Sequence, residues 1–189
     1  MAAPLTPLVL PAWTCPATIT APDPATTTLV PARVEIPERT VWVDLHLITE
    51  LLAKARHAAT LACAPFSHFH VGAALIMADD PDHTVITGAN VENSSLSLTQ
   101  CAERTALYFA AAQGFRKLRY LAVSCAATTP ATPIRDRSPC GSCRQVIREF
   151  STPETLIFLD TGGPHLGADV FDVDRLLPHG FLFKGRPAS

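Results

Sequence analysis

Nowhere in this 189-residue chain does an uninterrupted apolar run approach the roughly 18 residues of a membrane-spanning helix, so a membrane partner is not expected. Neither sign of charge dominates, since 15 Lys and Arg stand against 17 Asp and Glu for a formal net charge of −2. That leaves no electrostatic footprint for long nucleic acid. Charged residues are scarce at 17% while hydrophobic ones reach 48%, which excludes wholesale disorder and describes a core-forming chain. No Lys or Arg precedes Arg33, and Pro4, Pro7 and Pro11 cut the first apolar stretch. A secretory signal is therefore not expected, and the chain is read as cytoplasmic. Internal repeats are missing, and scattered Ser, His and Asp assemble no nucleophile signature.

What the chain does have is unevenly placed. Of its 17 prolines, eight fall in the first 40 residues amid Ala and Thr. Each removes a backbone donor and biases its predecessor away from helix. Residues 1–40 are therefore read as a Pro/Ala/Thr-rich extension, extended and largely irregular, and residues 41–189 as one folded domain. Leu45, Ile48, Leu52, Ala55 and Ala59 recur at helical spacing, and Pro65 closes that segment. The apolar runs 71–77 and 84–88 flank an Asp/Pro turn and predict an antiparallel strand pair. A helix is predicted over 101–113, ending at Gly114, then strands at 120–125 and 156–159 with a helix at 144–150 between them. A faint fifth strand is placed near 168–171 and a short helix at 174–177. Strands alternating with helices predict an α/β sheet covered on both faces.

The six cysteines are Cys15, Cys63, Cys101, Cys125, Cys140 and Cys143. Without a secretion signal, three disulfides are the poorer explanation. Cys140-Gly141-Ser142-Cys143 alone could be a redox pair, half of a zinc ribbon or an accident. Cys101 and Glu103, on the first turn of an earlier helix, sharpen it. Three thiolates at helix beginnings fill three corners of a tetrahedron and leave the fourth open, the arrangement of a catalytic zinc. Glu103, two residues beyond a ligand, can face the open corner without binding metal, and there it can shuttle a proton between water and substrate. Cys101-Ala102-Glu103 with Pro139-Cys140-Gly141-Ser142-Cys143 has the ligand-x-Glu and Pro-Cys-x-x-Cys pattern of zinc deaminases. Three thiolates on Zn2+ total −1, so Arg104, Arg144 or both are expected to donate to sulfur and drain that excess. The plain alternatives are a closed structural zinc or buried free thiols; His68 and His70 are read as flanking a strand and not as ligands.

At this point the residues resemble cytidine deaminase of the short-chain, three-cysteine, homotetrameric type. The likeness runs from about Leu45 to Phe183 and includes Phe66-Ser67-His68-Phe69, Val71-Gly72-Ala73-Ala74, Asn90-Val91-Glu92-Asn93 and Leu176-Leu177-Pro178. The resemblance implies a three-layer α/β/α sandwich around a five-stranded mixed sheet. It also implies conversion of cytidine and 2′-deoxycytidine to uridine and 2′-deoxyuridine with release of ammonia, in pyrimidine salvage. By the same likeness Asn90 and Glu92 match a ribose-binding pair, Phe69 an aromatic that packs on the pyrimidine, and Glu103 the proton shuttle that also holds ring N3. The backbone of Ala102 matches a group binding the ring carbonyl and that of Ser138 one receiving the leaving amine. Phe181 matches an aromatic that enters a neighbouring subunit's site. Phe66 stands where the family often has Tyr, and residues 128–137 look longer than usual. That loop keeps open a related aminopyrimidine nucleoside, such as blasticidin S or an N4-modified cytidine, as substrate. A polynucleotide editor would want a basic groove, for which Arg116, Lys117 and Arg119 are thin support. A zinc-stapled binding module is the remaining, non-enzymatic reading.

Overall fold

The computed structural model describes residues 4–15, 18–20, 28–30 and 33–183, and the chain divides into two units, Pro4–Val43 and the part from Asp44 onward. In the first unit, β1 (Leu5–Leu10) pairs with β6 (Arg39–Asp44). Inside that pair, β2 (Trp13–Cys15) runs antiparallel to β5 (Arg33–Ile36), and β3 (Thr18–Thr20) antiparallel to β4 (Thr28–Val30). The described part is thus a nested series of short ladders, where the proline count predicts a largely irregular segment. The reason is positional. Pro4, Pro11 and Pro37 stand between or before strands, and a two-stranded ribbon leaves half of each strand's donors unpaired in any case. Val and Thr supply the β preference. Pro16, Pro22, Pro24 and Pro31 and the side chain of Cys15 lie outside the described residues.

The second unit opens with Asp44, whose carboxylate accepts from the backbone N–H groups of His46 and Leu47 and so caps α1 (Leu45–Ala59). Its buried face is Ile48, Leu51, Leu52, Ala55, Ala58 and Ala59, one stripe of a 3.6-residue period. There follow β7 (Val71–Met77), β8 (Ile86–Ala89), α2 (Ala102–Ala112), β9 (Leu118–Cys125), α3 (Gly141–Phe150), β10 (Ser151–Asp160), β11 (Ala168–Phe171) and α4 (Val173–Leu176). The sheet order is β11-β10-β9-β7-β8, with β9 and β10 parallel and the other pairs antiparallel, so the five-stranded sheet is mixed. The faint fifth strand is real and forms the edge beside β10.

Strand alternation divides the buried residues between two faces. Ala73, Leu75 and Met77 of β7 join Leu121 and Val123 of β9 and Ile157 and Leu159 of β10 under Ala106, Leu107 and Ile147 of α2 and α3. On the other face α1 sits so close to β7 that a Cβ on Gly72 would lie 2.1 Å from the carbonyl of Ala55. Gly88 does the same for α2, where a Cβ would stand 2.6 Å from the carbonyl of Ala102. The result is helix, sheet, helix in three layers.

Candidate active site

Because β7 is antiparallel to both neighbours, β8 and β9 run the same way and end at the same edge of the sheet. The chain leaving each of those ends leads into a helix, α2 after β8 and α3 after β9. Their first turns meet there. Cys101 is the residue capping α2, Cys140 caps α3, and Cys143 lies in the first turn of α3. The three Sγ atoms lie within 4.8 Å of one another. Zn–S bonds of about 2.3 Å in a tetrahedron put sulfurs about 3.8 Å apart, so small side-chain adjustments close the trio on one ion.

The charges around this cluster favour a cation. The Cys101 thiol is held well below its ordinary value, first by a hydrogen bond from Cys143, then, against burial, by the Arg104 guanidinium. Cys143 is pushed up by the same shared proton and by burial. Arg104 Nη2 lies 3.7 Å from Cys101 Sγ and donates to the carbonyl of Thr99 at 3.0 Å. The Arg144 donors go elsewhere, to Ser138 Oγ at 2.8 Å and the carbonyls of Pro139 at 2.8 Å and Leu176 at 3.1 Å. The expected contact to sulfur is therefore made by Arg104. Arg144 instead clamps the Ser138-Pro139 turn, because its stem leaves α3 on the side facing α4.

Glu103 is 3% exposed. Burial lifts its carboxyl to about 7, with repulsion from the Cys101 thiolate adding to the rise and its own backbone N–H opposing it. It lines a cavity of about 310 Å³ together with Phe69, Asn90, Glu92, Cys101, Ser138 and Cys140. A neighbouring recess of about 250 Å³ beside Arg56, Ser124, Cys125 and Asp160 holds none of the sulfur trio, and its one carboxylate is saturated with donors. The chemistry belongs to the first cavity.

The family description "Cytidine and deoxycytidylate deaminase zinc-binding region" matches residues 46–159, more than half of the chain. The chain belongs to this deaminase family. It is 39% identical to a cytidine deaminase of Sporosarcina psychrophila over 71% of this chain and 90% of that one. It is 41% identical to one from Halalkalibacterium halodurans over 69% and 91% respectively. Among solved structures, the cytidine deaminase of Burkholderia pseudomallei superposes with a TM-score of 0.59 at 37% identity, covering 74% of this chain and all of that one. The cytidine deaminase of Mycobacterium tuberculosis gives 0.54 at 33% identity, covering 75% and 99%. The chain is an enzyme of the deaminase class. Its cofactor is zinc, for which Cys101, Cys140 and Cys143 form the fitting donor set.

The deaminase cavity gathers most of the residues singled out from the sequence, though some are already engaged. Asn90 Oδ1 accepts from the N–H of Val71 at 2.8 Å and its Nδ2 donates to the carbonyl of Phe69 at 2.8 Å, so the amide clamps the cavity wall. Glu92 Oε2 accepts from the N–H groups of Phe66 and Ser67 at 2.9 and 3.2 Å. Hydrogen bonds from Ser67 and Phe66 hold its carboxyl below the usual range despite partial burial. Ala102 is fully buried at the start of α2. Phe181 is 68% exposed and stands outside the cavity lining; its carbonyl accepts from Gln145 Nε2 at 2.9 Å. Ser67, Thr99, Gln100, Cys125, Asp136 and Arg137 also line the cavity. Ser67 stands in the Phe66–Phe69 stretch, and Asp136 and Arg137 end the 128–137 loop, both singled out from the sequence, whereas Thr99, Gln100 and Cys125 carried no signal that tied them to the site.

Proposed function

We propose that this chain hydrolyses cytidine and 2′-deoxycytidine, water replacing the exocyclic amine to give uridine or 2′-deoxyuridine and ammonia. The observation that carries the reading is a buried carboxyl, Glu103, that lines one cavity with Cys101 and Cys140 of the three-sulfur cluster. When bound, zinc supplies a Lewis acid that brings the ionisation of water toward neutral pH. Glu103 takes the proton of the attacking water, delivers it to ring N3 and then serves the departing amine. Burial removes competing solvent from that carboxyl and keeps its proton transfers directed into the cavity. Cys101, Cys140 and Cys143 would hold the metal, and Arg104 would offset the negative charge that three thiolates leave.

The remaining assignments follow the same reading. Asn90 offers its remaining amide N–H, and Glu92 its carboxylate, to the sugar hydroxyls, beside the contacts each makes with the wall. Phe69 packs on the pyrimidine, the first-turn N–H of Ala102 takes the ring carbonyl and the backbone of Ser138 receives the amine. Phe66, Phe109, Phe181, Leu182 and Phe183 are all more than half exposed. Covering them in a homotetramer, with Phe181 entering a neighbour's site, explains that apolar surface. No described helix is long and apolar enough to cross a membrane. Thiolate ligands persist best in a reducing compartment, which favours salvage of pyrimidine nucleosides in the cytoplasm.

The deciding measurement is loss of the cytidine absorbance band on adding purified, zinc-loaded protein. Turnover by the native chain, with a drop of at least about 100-fold in a zinc-loaded Glu103→Ala variant, is expected. Equal turnover by that variant, or none by either protein, overturns the reading.

A further inference from the structure

The connection from β9 to α3 ends in Asp136, Arg137 and Ser138, all of which stand in the cavity wall. Arg137 is unlike an ordinary loop arginine, being only 9% exposed. Its Nε donates to the carbonyl of Thr132 at 3.3 Å, and its Nη1 to the carbonyls of Leu159 and Asp160 at 3.2 Å each. Nη2 is paired with Asp169. One guanidinium thus joins its own loop, the last carbonyls of β10 and a carboxylate on β11. A buried guanidinium persists only when it is paired and hydrogen-bonded in this way.

The support behind the wall continues further. The Asp160 carboxylate accepts from Arg56, Ser124 and Gly162, which holds the end of β10 in place. Gly162 has φ +74°, and a Cβ there would stand 2.2 Å from the carbonyl of Thr128. The turn after β10 can therefore carry the start of the same loop only as glycine. The Arg137 carbonyl lies 3.9 Å from the thiol of Cys125, itself a cavity residue.

We infer that the Arg137–Asp169 brace sets substrate selection by holding the Asp136–Ser138 wall against the end of the cavity that receives the exocyclic amine. The inference rests on the deamination proposed above. With the wall braced, a cytidine bearing an alkyl group on that amine has to displace backbone anchored to two strands. With the brace released, the wall yields. Arg137 acts here as a positioning residue. Asp169 does not line the cavity and is 43% exposed through its side chain, so replacing it tests the brace without altering any group that faces substrate.

The test is the ratio of kcat/KM for cytidine to that for N4-methylcytidine, measured on zinc-loaded native protein and on Asp169→Asn, Arg137→Lys and Arg137→Leu variants. The native ratio is expected to fall at least fivefold in Asp169→Asn and further in Arg137→Leu, through a lower KM for the methylated substrate. Arg137→Lys keeps a cation near Asp169 but loses the forked donors, so it is expected to lie between. An unchanged ratio, including equal losses on both substrates, overturns the inference, because a brace that merely held the fold would not discriminate. Zinc content and melting identify a variant that fails to fold, and Asp169→Asn then carries the decision. Absence of turnover of either nucleoside by the native protein sinks the proposed function and this inference together; cytidine turnover with an unchanged ratio sinks the inference alone.

Discussion

A carboxylate that accepts four hydrogen bonds can stay ionised where an isolated one would take up a proton. Asp160 accepts from Arg56 Nε at 2.7 Å, Arg56 Nη2 at 2.8 Å, Ser124 Oγ at 2.8 Å and the N–H of Gly162 at 2.9 Å. Burial pushes its pKa up, but the hydrogen bonds from Arg56, Gly162 and Ser124 outweigh that and hold it below the ordinary value. A folded-state value below the unfolded one of about 3.9 means stability that is fully present above about pH 4 and lost as pH falls through the folded value. Asp160→Asn is expected to cost about 3 kcal/mol at pH 7. The gap in melting temperature between native protein and variant should be flat above about pH 5 and narrow below about pH 4. A gap that widens on acidification would contradict this account. At this scale the metal trio and Glu103 were legible, because their roles depend on spacing along two helix starts. The Asn90 clamp was not, since it depends on Val71, at the start of β7, and Phe69, in the loop before it, arriving beside Asn90.

At the scale of elements, the site depends on how closely α2 approaches the sheet. Gly88 lets the α2 backbone lie against β8, and a Cβ there would meet both the carbonyl of Ala102 and the N–H nitrogen of Ala106 at 2.6 Å. Those atoms are helix backbone and cannot rotate away. Gly88→Ala is expected to destabilise by about 1–3 kcal/mol in denaturant unfolding. It should also weaken zinc retention, since α2 carries Cys101 and Glu103 at the end that would be displaced. Gly141→Ala is the contrast, because a Cβ there meets nothing within 4 Å, and it should leave both properties near native. The helices and most strands of the second unit were legible from period and turn residues, with ends moved by a few positions. β10 begins at Ser151, well before the apolar run at 156–159, because its register against β9 shifts between Ser151 and Leu156. The ribbon of the first unit was not legible, since its short ladders pair segments that are separated in the chain and leave no periodic pattern among the prolines.

Across the whole second unit, the metal cluster ties together the starts of two helices, α2 and α3, that pack on one face of the sheet. Removing zinc leaves three sulfurs and a buried carboxyl to repel one another or share protons, so binding energy of the ion is also folding energy. Chelation is expected to lower the melting temperature and abolish turnover together, and one equivalent of zinc per chain should restore both. Recovery of melting without recovery of turnover would separate a structural metal from a catalytic one and count against the proposed chemistry.

The sequence by itself pointed to three sulfurs and a glutamate at two helix starts, which the fold brings together, because that spacing is carried locally by each segment. It determined the layered class as well, through periodicities that each element carries alone. Only the tertiary structure decided what encloses the cavity. Asn90 as a clamp, Arg144 as a turn holder and Arg137 as a brace each depend on partners brought together by sheet order, and contacts between distant strands are not written in the spacing of either one.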